Sequence, residues 1–295
     1  MFALVVDDFL IHRTTDTTLQ HLINTLQQHH TITIDRQATK FCGIQLHWDY
    51  TKGHVTLSMP GYVEKALQQF MHPVPTEPQY LPHQGAPPDN GARIQYAKAD
   101  DDLTPLDAKG ITCLQQILGT FLFYARAVDN TMLVALGTLA AAQTMGTKQT
   151  MEATIQLLNY AATKPNAAIR FHKSDMVLYA HSDASYLSKP QAHSQVGGYF
   201  YLDTHNKPAN NPLPNGPVHV ESRIMKNIMA VTSEAEIEAL FHNGQEAARI
   251  QHILQELGHE QHQPTQLTTD NSTANRFANS CTKIQQSKAT DMRFY

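Results

Sequence analysis

The chain has 295 residues, of which 41% are hydrophobic and 16% charged, with a formal net charge of −4 and a pI near 6.5. These values argue against disorder over the whole length and against a protein that coats nucleic acid by bulk charge alone. Three widely spaced cysteines without a CxxC pair argue against a zinc ribbon or a disulfide framework.

The chain opens abruptly on FALVV, runs into Asp7 and Asp8, and continues with FLIH. Two apolar runs around a two-acid turn predict a β-hairpin. An opening in mid-strand implies that Met1 is internal to a longer protein. Residues 15–29 show a helical stripe of Leu19, Leu22, Ile23 and Leu26, with Asp16 or Thr17 as cap. Thr31–Ile34 alternates as a strand. Lys40–Trp48 reads as another, with Gly43 inside it as a bulge or close approach. His54–Ser58 pairs back after a turn, and Pro60 opens the next helix at its first position.

Residues 73–104 are rich in Pro, Gly, Asn and Asp and read as a linker. Three helical apolar segments follow: Cys113–Ala127, Thr131–Ala142 and Met151–Thr163. After Pro165 the pattern turns to strands at Ala168–His172, Met176–His181, Val196–Leu202 and Val218–Ile224. The pair Gly197–Gly198 would relieve crowding in the third of these. Ser233–Leu257 is the longest helical segment, Gln266–Thr269 a short strand, and Asn271–Ala278 and Thr290 onward two helix starts. Strands giving way to strand–helix alternation predict an α/β (α+β) chain with a mixed sheet. No run is long and apolar enough for a bilayer, and the seventeen histidines include no HExxH spacing.

The chemistry lies in four acids. Asp183 ends a strand, Glu236 lies near the start of the longest helix, Asp270 follows the short strand, and Asp291 opens the last helix. Carboxyl ends of strands are where α/β sheets place ligands. Carboxylates gathered at one point repel and raise each other's pKa unless cations neutralise them. Mg²⁺, which takes hard oxygen ligands and substrate phosphates, is the natural partner, and a pair of ions could cut a phosphodiester. Taken one at a time, each acid could equally be a turn residue, a helix cap or a solvated face. Their order and settings together favour the metal site.

SDASY at Ser182–Tyr186, SEAEIEAL at Ser233–Leu240, TTDNSTA at Thr268–Ala274 and TDMRFY at Thr290–Tyr295 resemble the ribonuclease H domain of copia-type long-terminal-repeat retrotransposon polyproteins. VVDDFLI at Val5–Ile11 resembles the polymerase hairpin with paired aspartates. Phe41–Leu67 resembles the segment after the palm, and LGTFLFYARAV at Leu118–Val128 the connection that follows. The resemblance implies a partial reverse transcriptase palm and thumb over residues 1–72, the linker at 73–104, a helical connection at 105–172, and a ribonuclease H-like mixed β-sheet flanked by helices at 173–295. It implies that Asp183, Glu236, Asp270 and Asp291 bind two Mg²⁺ ions, with Mn²⁺ as a substitute, and that the substrate is an RNA–DNA hybrid. Glu236 is chosen over Glu234 because EIEAL fits the family motif.

Asp7 and Asp8 would be polymerase metal ligands whose third acid precedes Met1. The missing N-terminal part of the polyprotein would then be a partner, and polymerase activity is not expected of this chain alone. The implied setting is cytoplasmic or nuclear, with a virus-like particle as context if the element is active. Ser182, Ser185 and Asn271, beside the acids, are candidates for contact with a ribose 2′-hydroxyl. Lys173, Lys189, Arg223, Lys226, Lys283 and Lys288 could meet phosphates. An inert remnant that only binds nucleic acid, and a different metal-dependent phosphohydrolase, are the alternatives.

Overall fold

The computed structural model describes residues 2–12, 15–84, 103–205 and 214–279. Within them the chain is mixed α/β. Strands β1 (Phe2–Val5) and β2 (Asp8–Ile11) form the expected hairpin. Val5 pairs with Asp8, so the turn is Val6–Asp7 and Asp8 already belongs to the second strand. Helix α1 (Asp16–Gln27) follows. No strand forms at Thr31–Ile34. Alternation supplies a period but no partner strand, and the chain there leads into a tight turn. In that turn the Asp35 carboxylate accepts from the Gln37 and Thr39 backbone N–H groups, at 2.9 and 2.6 Å.

The expected strand Lys40–Trp48 is in fact two. Strands β3 (Lys40–Phe41) and β4 (Ile44–Asp49) are joined by Cys42 and Gly43, both left-handed at φ 49° and 79°. Two successive positive φ values make the tightest kind of hairpin, and only the second carries glycine. Strand β5 (His54–Ser58) pairs with β4, and helix α2 (Tyr62–Gln69) follows. Pro60 lies before α2 rather than in its first turn: Gly61, at φ 76°, is the residue that turns the chain into the helix.

Helices α3 (Ala108–Ala127), α4 (Leu133–Ala142) and α5 (Lys148–Thr163) come next. Asp107 accepts from the Gly110 N–H at the start of α3, and Thr147 with Thr150 makes a reciprocal capping box on α5. Strand β6 (Ala168–His172) then pairs with β5, so the first four-stranded sheet runs β3-β4-β5-β6. Val63 and Leu67 of α2 share one core with Leu114, Phe121 and Tyr124 of α3, Leu136 of α4 and Leu157 of α5. The boundary expected between residues 72 and 105 therefore separates segments that pack together.

Strands β7 (Val177–Lys189), β8 (His193–Asp203) and β9 (Pro217–Ile224) form an antiparallel meander. Helix α6 (Thr232–Glu256) then returns the chain to β10 (Gln266–Thr268), which lies parallel to β7, and helix α7 (Ser272–Ala278) follows. The strand order is β10-β7-β8-β9, a mixed sheet as expected. Alternate residues of β7 and β8, among them Leu178, Ala180 and Phe200, pack on Ala247 and Leu254 of α6. Among the described residues no helix is long and apolar enough to cross a membrane.

Asn215 links the two sheets. Its Oδ1 accepts from the His172 backbone N–H at 2.8 Å, and its Nδ2 donates to the carbonyls of His172 and Leu202 at 2.9 and 2.8 Å. Asn215 is itself buried and its Oδ1 also accepts from the Gly216 N–H, so a lost side chain would take a partner from four backbone groups. Asn215→Ala is expected to destabilise the protein by on the order of 3 kcal/mol in urea unfolding. An unchanged midpoint would remove Asn215 as the link.

Candidate metal centre

Asp183 does not end its strand. β7 continues through it to Lys189, and Asp183 stands in mid-sheet opposite Gly197 of β8. Because neighbours on a strand face opposite ways, Ser182 points into the α6 side while Asp183 points out. Asp270 reaches the same place through the parallel register. Thr268 pairs with His181, so two residues further on Asp270 comes level with Asp183. A hydrogen bond between His181 Nδ1 and Thr268 Oγ1, at 3.0 Å, ties that register.

Glu236 arrives from the first turns of α6, which lies across β7 and β8. Carboxylate oxygens of Asp183, Glu236 and Asp270 lie within 4.8 Å of one another, a spacing that could hold a metal ion. Asp183 and Asp270 are exposed, whereas Glu236 is 4% exposed. One of its oxygens, Oε2, is buried with no hydrogen-bond partner. An orphaned carboxylate oxygen facing two further acids fits a cation better than it fits anything else in the protein.

The three acids of EAEIE have separate roles. Glu234 accepts from the Ala230 backbone N–H at 2.7 Å, and Glu238 holds His242 Nε2 at 2.9 Å. Both are buried, so this is no solvated helix face, and of the three only Glu236 reaches Asp183 and Asp270. Burial first, then the charges of Asp183 and Asp270, push the Glu236 pKa up to about 7, opposed by the Ala184 backbone N–H.

The remaining sequence candidates are placed as follows. Asp291, Lys283 and Lys288 lie outside the described residues. Asp7 and Asp8 sit on the separate β1–β2 hairpin, where Asp8 accepts from the Cys42 N–H at 3.1 Å, and the metal-spaced cluster does not include them. Ser182 is fully buried, and its hydroxyl accepts from Asn243 Nδ2 at 2.8 Å, so it is a packing group and not a surface for ribose. Ser185 is exposed on the Asp183 face. The Asn271 side-chain oxygen is committed to capping α7, accepting from the Thr273 and Ala274 N–H groups. Arg223 is paired with Glu221 at 3.2 Å, and Lys189 is buried.

Sequence reasoning missed the brace behind the site. Asn243, fully buried in α6, donates to Ser182 Oγ and to the Gly197 carbonyl at 2.8 and 2.9 Å. A Cβ on Gly198 would come within 2.3 Å of Asn243 Oδ1, so of the expected pair Gly198 relieves crowding, while a Cβ on Gly197 would meet only ordinary contacts. An asparagine on an otherwise apolar helix face was the available signal. In front of the sheet, Asp183 and Ser185 line a cavity of about 1210 Å³ whose far wall is α4 and α5. No protein-family model matches the chain, and no curated protein matches it significantly.

Stability should depend on pH through Glu236. The folded pKa of about 7 lies above the ordinary 4.5. Between those values the folded protein keeps a proton that the unfolded chain has released. Stability is therefore full below the ordinary pKa and falls as pH rises towards the folded one, by on the order of 3 kcal/mol. In chelator, the melting temperature of wild type should drop across that window while Glu236→Gln stays flat. Added Mg²⁺ or Mn²⁺ should restore wild type at the alkaline end and leave Glu236→Gln unmoved. Identical profiles for the two proteins would show that Glu236 is not the desolvated acid.

Proposed function

We propose that the chain is a piece of a copia-type retroelement polymerase whose working site is a metal-dependent ribonuclease H. The observation that carries this reading is the meeting of Asp183, Glu236 and Asp270, with Glu236 Oε2 buried and unpartnered. A mixed sheet with one acid on β7, one just past its parallel neighbour β10 and one on the crossing helix supports it, as do the motifs around each acid.

In this reading Asp183, Glu236 and Asp270 hold the metal, two Mg²⁺ ions in all, with Asp291 as a fourth ligand. The bound metal supplies an activated water and stabilises the leaving oxygen of an in-line displacement at phosphorus. The chain contributes a rigid frame: two strands in register and one helix fix the carboxylates before substrate arrives. Buried Glu236 keeps one flank of the site dry, and exposed Asp183 and Asp270 leave the other open to the scissile phosphate. The substrate is RNA paired with DNA, and Ser185 is the placed candidate for a ribose 2′-hydroxyl. The hairpin acids Asp7 and Asp8 would belong to a polymerase site completed by another part of the polyprotein.

The test is cleavage of a labelled RNA–DNA hybrid in Mg²⁺. Asp183→Asn should lower the rate by at least about a hundredfold, the upper end for a mere supporting group. Chelation should abolish cleavage and Mn²⁺ should restore it. Equal rates for wild type and Asp183→Asn, or a preference for single-stranded DNA over hybrid, would overturn the reading.

A further inference from the structure

The cavity in front of Asp183 has a second polar end. Lys189, the last residue of β7, is only 6% exposed. Its ammonium donates to Thr138 Oγ1 of α4 at 2.7 Å, and among the described residues no carboxylate pairs with it. An ammonium has three donors, so two are unused. His83 lines the same cavity, and its Nδ1 is buried without a partner. Burial lowers the pKa of both groups, and the charge of Lys189 lowers that of His83 further.

A cation taken out of water with one neutral acceptor is costly unless an anion completes it. Among the described residues none bonds to it, which leaves the place open to an external counter-charge. Val134, Leu139 and Ala153 supply apolar surface on a wall of α4 and α5 that also carries Gln149, Glu152 and Gln156. A volume of about 1210 Å³ is more than a bare anion needs, and it suits a ligand with a planar apolar part.

We infer that Lys189 and His83 seat the phosphate of a mononucleotide unit, whose base lies along the apolar side of α4 and α5. Two nitrogen groups on one cavity, with no carboxylate bonded to the ammonium among the described residues, suit a phosphate, which accepts several hydrogen bonds at once. The seat is separate from the metal centre. Lys189 stands six positions beyond Asp183 on β7, at most about 20 Å of extended strand, and is not among the three clustered acids. It therefore does not depend on the nuclease reading.

The experiment is calorimetric titration of the whole chain in chelator with 5′-AMP, adenosine and inorganic phosphate. AMP should bind, adenosine should bind at least about tenfold more weakly, and phosphate should compete with AMP. Lys189→Met and His83→Gln should each weaken AMP, the first by about tenfold or more. A short RNA–DNA hybrid that displaces AMP would assign the seat to a strand phosphate, and one that does not would assign it to a free nucleotide; either supports the seat. Equal affinity for AMP and adenosine, no binding of AMP, or AMP binding unchanged in both Lys189→Met and His83→Gln would overturn it. If Lys189→Met does not fold, the wild-type competition and His83→Gln decide.

Discussion

The structure turns on one desolvated carboxylate. Glu236 is brought by a helix against a sheet that already carries Asp183 and Asp270, and one of its oxygens finds no donor there. Proteins rarely leave such an oxygen unanswered, because an unpaired buried charge costs far more than a hydrogen bond returns. Two outcomes relieve it: a proton, or a cation shared with the neighbouring acids. The raised pKa of Glu236 describes the first, and the proposed nuclease describes the second.

Much of the surrounding fold serves to hold that carboxylate in place. Parallel pairing of β10 with β7 sets Asp270 level with Asp183. Asn243 ties α6 to Ser182 and to the backbone beside Gly197, and Gly198 leaves it the space. Glu234 and Glu238, on either side of Glu236, spend their charge on a backbone N–H and on His242. The first bond ties the start of the helix to the preceding loop, the second lies within the helix, and Glu236 is the acid left unsatisfied. Asn215 carries the frame further by knitting the β6 end of the first sheet to the strand that precedes β9.

Where sequence reasoning failed, the missing information was a partner. Thr31–Ile34 alternates like a strand but has nothing to pair with. Lys40–Trp48 was one apolar stretch in the sequence, and its division at Cys42–Gly43 rests on two left-handed residues, only one of them glycine. Ser182 lies next to Asp183 in sequence, yet the pleat sends it to the opposite face. Lys189 resembled any surface lysine until α4 closed over it.

The sequence by itself determined the element types, the mixed α/β class and the three acids that meet, because periodicity, caps and motif spacing are local properties of the chain. Thus Asp183, Glu236 and Asp270 could be named in advance, and the family resemblance of EIEAL chose Glu236 over Glu234. Only the tertiary structure decided that Glu234 and Glu238 are buried and otherwise engaged, that Asp183 stands in mid-strand, and that a cavity with a lone buried lysine lies beside it. Burial and charge pairing depend on residues brought together from distant parts of the chain. Only the packed protein fixes which carboxylate loses its water and which cation lacks a partner.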